Sequence, residues 1–230
     1  MAVGNSILSI IPVEEAPEKN VLSVLQDTVD YLQQGIRGVQ PYDLKVYIAP
    51  IKKFNVLALP GGAIVVFEGL LTKAESFEEL AGVLAHEIQH ILLRYSTRGI
   101  VMNASKIFLT SLLIGDVNLM MERVVDIAGD FETLGLSREM EAQADRKGME
   151  LILASNINPN GMIQIFKKLE RETVEKEDSL KTDTKKFFSY FLTHPAGLDR
   201  VACLNKMIGS NKDKNWKPLF PELDWNEIKP

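Results

Sequence analysis

The chain has 230 residues, 46% hydrophobic and 25% charged, with a formal net charge of -5. A chain of this size can bury a core without disulfides, and one compact domain accounts for it. The acid excess, with no basic stripe, argues against a nucleic-acid partner. The single cysteine, Cys203, cannot form an intrachain bridge.

Residues 1–17 read as an N-terminal arm, 18–209 as the main domain and 210–230 as an extended tail packed on it. As written, the N-terminal stretch has no basic region and no small-residue cleavage site, so it does not read as a signal peptide. From Glu18 to about Gln34, Val21, Leu25, Val29 and Leu32 recur at helical spacing. Three strand-like runs follow: 44–49, 54–59 and 63–67, separated by Pro50 and by Pro60-Gly61-Gly62. Such short links favour a small antiparallel or mixed sheet. A helix is expected from about Phe77 to Tyr95, with Ser76 and Glu79 spaced as a capping box. The apolar stretch from Ile100 to Met121 reads either as core helix or as an apolar cover over a cleft. Within it, Ile107 to Ile114 is the longest apolar-rich run, well short of the roughly 20 residues that span a bilayer. Further helices are expected over 137–153, from Asn158-Pro159 through Leu169, and over 198–208. The charged stretch 170–186 reads as a solvated helix end and loop. Cys203, among Val201, Ala202 and Leu204, reads as a buried apolar thiol. The pattern as a whole is α+β: mainly helical, with a small sheet beside the 77–95 helix.

That helix carries His86-Glu87-Ile88-Gln89-His90. At 100° per residue the two histidines share one face and can hold a single zinc ion. Glu87 follows the first histidine, so its carboxylate reaches a water at an open metal position as general base. The plain alternative is an amphipathic helix with two partly exposed histidines. Two histidines still need a third ligand. Glu141 is the best candidate, because Glu141 and Asp145 are four apart on one helix face. Small Ala142 and Ala144 would let that helix come close to the first. One carboxylate can then bind the metal while Asp145 accepts the free ring N–H of a ligating histidine. The strand 54–59 would lie at the cleft rim, where Asn55, Val56, Leu57 and Ala58 can hold an extended chain by main-chain hydrogen bonds.

The pair H-E-x-x-H and E-x-x-A-D resembles the gluzincins, and closely the zinc metallopeptidases that include the heat-shock protease HtpX and the CAAX prenyl proteases. The resemblance also rests on Asn55-Val56-Leu57-Ala58-Leu59-Pro60-Gly61-Gly62, Gly69-Leu70-Leu71, Ser137-Arg138, Gly148 and Thr193-His194-Pro195 with Arg200. It implies a zincin-like fold, one zinc ion and peptide-bond hydrolysis. It also implies that His194 donates to the developing oxyanion or occupies the metal's open position at rest, with Arg200 holding the nearby carboxylates. The membrane-spanning helices of those two groups are missing here. The resemblance therefore points to a branch acting in the periplasm or cell envelope on unfolded or misassembled proteins, in association with membrane-assembly machinery. A zinc-bearing holdase that binds unfolded chains and cleaves rarely is the alternative.

Overall fold

The computed structural model describes residues 8–9, 11–13, 19–36, 42–99, 101–102, 105, 136–179, 194, 199–209 and 214–230. The elements are α1 (Lys19–Gln34), β1 (Lys45–Ala49), β2 (Val56–Ala58), β3 (Ala63–Phe67) and α2 (Glu68–Lys73). Then come α3 (Phe77–Leu92), α4 (Arg138–Ala154), α5 (Asn160–Ser179), α6 (Arg200–Ile208) and α7 (Trp225–Ile228). The fold is α+β, as the residue pattern implies.

The sheet is mixed, in the order β1-β3-β2. β2 and β3 form the expected hairpin, Val56 opposite Val66. The turn between them is made by Gly61 and Gly62, both left-handed at φ 100° and 105°. β1 runs parallel to β3, with Lys45 opposite Ala63. The Pro50 link is therefore a crossover that carries the chain past the β3 position to the far edge. One sheet face (Val46, Ile48, Val56, Ala58, Ile64, Val66) packs into the helical core. On the other, Leu8, Ile11 and Val13 pack against Ala49, Leu57, Leu59, Val65 and Phe67.

α3 is the hub, buried from Phe77 to Ile91 except at Glu78, and it packs against α1, β2, α4 and α5. Its buried polar residues, Glu79, His86, Glu87, Gln89 and His90, are therefore the ones that need partners or a function. Its start is fixed as the sequence implies: the Ser76 hydroxyl accepts from the Glu79 N–H at 3.2 Å. The Glu79 carboxylate reaches back one residue further than a standard box, accepting from the Glu75 N–H at 2.9 Å. Lys168 closes this corner with 2.7 Å to buried Glu79. The far end differs from expectation. α3 stops at Leu92 because Arg94 turns left-handed, φ 55°, and a new helical turn starts at Tyr95.

α5 extends to Ser179, beyond the expected end at Leu169, so much of the charged stretch is helical; its remainder, 180–186, lies outside the described residues. Most of the Ile100–Met121 stretch also lies outside them; Val101 and Met102 are exposed. Cys203 is exposed rather than buried. α6 buries Arg200, Leu204 and Ile208, four apart, and Cys203 falls off that stripe. In the tail, Trp225 is buried within α7 and its Nε1–H donates to the Ala74 carbonyl at 2.7 Å. Phe77 meets Phe220 and Trp225 edge to face at 5.2 and 5.4 Å.

Candidate metal centre

His86, Glu87 and His90 all lie on buried turns of α3, and none is more than 1% exposed. α4 crosses the same stretch. The Ser137 hydroxyl accepts from the Met140 N–H to start it, which fixes the first turn carrying Glu141. The close approach comes from Gly148 and buried Ala144, while Ala142 is exposed. A Cβ at Gly148 would sit 3.2 Å from the His86 nitrogen and 3.3 Å from its Cα.

Glu141 Oε2 lies 3.3 Å from His86 Nε2, and Oε1 lies 3.5 Å from His90 Nε2. The two Nε2 atoms are 2.8 Å apart. His194 arrives from the other side. Its Nδ1 is 3.2 Å from Glu141 Oε1 and 3.4 Å from His86 Nε2. Its Nε2 is 3.5 Å from Glu87 Oε1. Ligand atoms of His86, His90, Glu141 and His194 all fall within 4.8 Å of one another, every residue buried.

Around this group, Asp145 Oδ1 is 2.9 Å from His86 Nδ1. Arg200 Nη2 donates to that same oxygen, and its guanidinium stacks 3.8 Å over the Phe166 ring. Asp145 thus accepts a hydrogen bond from the Nδ1–H of His86, which leaves Nε2 as a lone pair facing the Glu141 carboxylate. No acceptor among the described residues meets His90 Nδ1.

Burial lowers the His86 and His194 pKa values to about 3, helped in each by the Arg200 charge, while the Glu141 carboxylate pulls His86 the other way. Burial also lowers His90, with His86 adding to it. The imidazoles are therefore neutral, the form that binds metal. Burial pushes Glu87 well up, and the Glu141 charge adds; Arg200 and the Ala58 N–H oppose. Among the described residues neither Glu87 oxygen has a full hydrogen-bond partner. Burial raises Asp145 too, against Arg200.

Neutral nitrogen lone pairs and a carboxylate facing one another across about 3 Å repel unless a cation lies between them. The nitrogen–oxygen donor set, its size and its burial fit one zinc ion. All of the metal-site residues expected from the sequence come together here. Asn55 to Ala58 lie on β2 and the residue before it, against α3. Asn55 is fully buried; its Oδ1 accepts from the Val56 N–H at 2.9 Å, and its Nδ2 has no partner among the described residues. Tyr95 went unnoticed in the sequence. It is buried against His90, ring centroids 5.7 Å apart, and its hydroxyl donates to the Gln143 side chain. An aromatic residue just past the motif helix gave no signal apart from its hydrophobicity.

Comparison with known proteins places the sequence in a family. The sequence model of peptidase family M48 matches residues 16–208. The mitochondrial metalloendopeptidase OMA1 of Arabidopsis thaliana is 32% identical over 150 residues, 65% of this chain and 28% of its own. A protease HtpX homologue of Listeria innocua is 27% identical over 254 aligned positions, covering 90% of this chain and 81% of its own. A Vibrio cholerae protein named as a beta-barrel assembly-enhancing protease is 28% identical over 187, covering 76% and 36%. The chain spans only 28%, 58% and 47% of the length of the OMA1 proteins of Arabidopsis and two yeasts.

Proposed function

The chain belongs to peptidase family M48, and from that premise we propose that it is a zinc-dependent endopeptidase acting on extended, unfolded polypeptide. The observation that carries this reading is the convergence of His86, His90 and Glu141 on one buried point beside the fully buried Glu87 carboxylate.

His86, His90 and Glu141 are the residues that would hold the metal. Zinc bound there supplies a Lewis acid that polarises the scissile carbonyl and acidifies the attacking water. Glu87 takes the proton of that water and passes it to the leaving amine. Its raised pKa suits both halves of the transfer. Asp145 and Arg200 hold the His86 ring in the tautomer that presents Nε2. His194, 3.5 Å from Glu87 and 3.2 Å from Glu141, is placed to donate to the oxygen that gains charge. Its ring nitrogen also lies close enough to those of His86 and His90 that it would join them in holding a metal in the substrate-free protein. The outer edge of β2 takes the substrate backbone, with Asn55 beside it, and a site that reads backbone selects chains already unfolded.

The substrate class that follows is misassembled or unfolded protein of the cell envelope. The name of the Vibrio relative supports this and an association with membrane-assembly machinery. No helix among the described residues is long and apolar enough to cross a membrane.

The test is metal analysis with a casein-type cleavage assay. One zinc per chain is expected, with hydrolysis abolished by a chelator and restored by added zinc. A zinc-loaded protein that binds unfolded chains without cutting them would replace this reading with that of a holdase.

A further inference from the structure

β2 is the edge strand of the described sheet. Along it, Asn55, Leu57 and Leu59 face β3: the Asn55 carbonyl accepts from Phe67, and the Leu59 N–H donates to Ala63. Antiparallel pairing alternates, so Val56 and Ala58 turn their N–H and C=O groups to the open edge. Two of those four outward groups are already hydrogen-bonded within the chain, and a third points at a side chain. The Val56 N–H goes to Asn55 Oδ1 at 2.9 Å. The Ala58 N–H lies toward Glu87. The Ala58 carbonyl accepts from Ser96 Oγ at 2.8 Å.

Ser96 reaches that carbonyl because of what ends α3. Left-handed Arg94 ends the helix, and the helical turn 95–99 that follows brings Ser96 to the β2 edge. Buried Tyr95 anchors this turn to α4 through Gln143. Ser96 itself is only partly buried. An extended substrate paired with Ala58 must donate its own N–H to the carbonyl that Ser96 now occupies.

We infer that Ser96 is a latch on the substrate-binding strand: its hydroxyl holds the Ala58 carbonyl until a substrate N–H displaces it, so it sets substrate affinity without taking part in hydrolysis. The inference rests on the peptidase reading above. Removing the hydroxyl takes away, in the free protein, the group that competes with the substrate N–H for this part-buried carbonyl, so the substrate should bind more tightly.

The experiment uses the zinc-loaded Glu87→Gln protein and a fluorescein-labelled, structureless peptide that the wild-type protein cuts. Ser96→Ala in this background should tighten peptide binding about three- to tenfold. Ser96→Thr, which keeps the hydroxyl, should bind as the parent does. In the otherwise wild-type chain, Ser96→Ala should lower KM by a similar factor and leave kcat within about twofold. Unchanged or weaker binding by Ser96→Ala, no binding by either form, or loss of the fold would overturn the latch. Failure of the peptidase reading is visible separately: zinc-loaded wild-type protein would then cut no peptide.

Discussion

At the scale of single residues, the site works through one chain of contacts. Arg200 bonds Asp145, Asp145 bonds His86 Nδ1, and His86 Nε2 is thereby aimed at Glu141. Asp145→Asn keeps the shape but weakens the hold on the imidazole tautomer. Zinc affinity should fall about 10–100-fold, measured by competition with a coloured chelator; an unchanged affinity would remove Asp145 from the metal's support. His194 lies against both Glu87 and Glu141. His194→Ala should lower turnover about 100- to 1,000-fold while zinc stays at one per chain. Near-normal turnover would remove the donor role. These residues were legible because their chemistry imposes spacing: four residues from His86 to His90, and four from Glu141 to Asp145. Tyr95 and Ser96 were not legible, because their placement depends on the left-handed turn at Arg94, and arginine carries no such preference.

At the scale of elements, the site depends on how closely three helices approach. A Cβ at Gly82 on α3 would lie 2.4 Å from the Met162 Cα on α5, and one at Gly161 on α5 would lie 2.4 Å from the Glu78 carbonyl carbon. Backbone meets backbone there, so no side chain can swing away. Gly82→Ala should destabilise the protein by about 1–3 kcal/mol, read from denaturant unfolding of the zinc-bound form; full stability would mean that α5 shifts freely. The helical periods of α1, α3, α4 and α6 were readable from apolar spacing and caps. The parallel pairing of β1 with β3 was not, since a proline between two short strands marks a break and gives no direction. The close contacts of Gly82, Gly148 and Gly161 were hidden as well. An isolated glycine in a helix lowers local propensity but does not name its neighbour.

At the scale of the whole molecule, burying three neutral imidazoles links stability to pH. His86 and His194 titrate at about 3 when folded, against 6.5 for the free side chain, and His90 is also lowered. Between those values the unfolded chain binds more protons at these sites, so stability falls as pH drops through them. Glu87 and Asp145, raised by burial, act with the opposite sign, but they are two groups against three. Metal-free protein should therefore lose thermal stability steadily from pH 7 to pH 5 in calorimetry, whereas a flat Tm would contradict neutral, buried histidines. In the proposed function one buried carboxylate does the proton work for a metal held by its neighbours. The measurement closest to that claim is zinc content and peptide hydrolysis of Glu87→Gln beside the wild-type protein. One zinc per chain is expected in both, with hydrolysis lost in the variant, since the amide cannot accept the water's proton. A variant that keeps zinc and cleaves at the wild-type rate would contradict that claim.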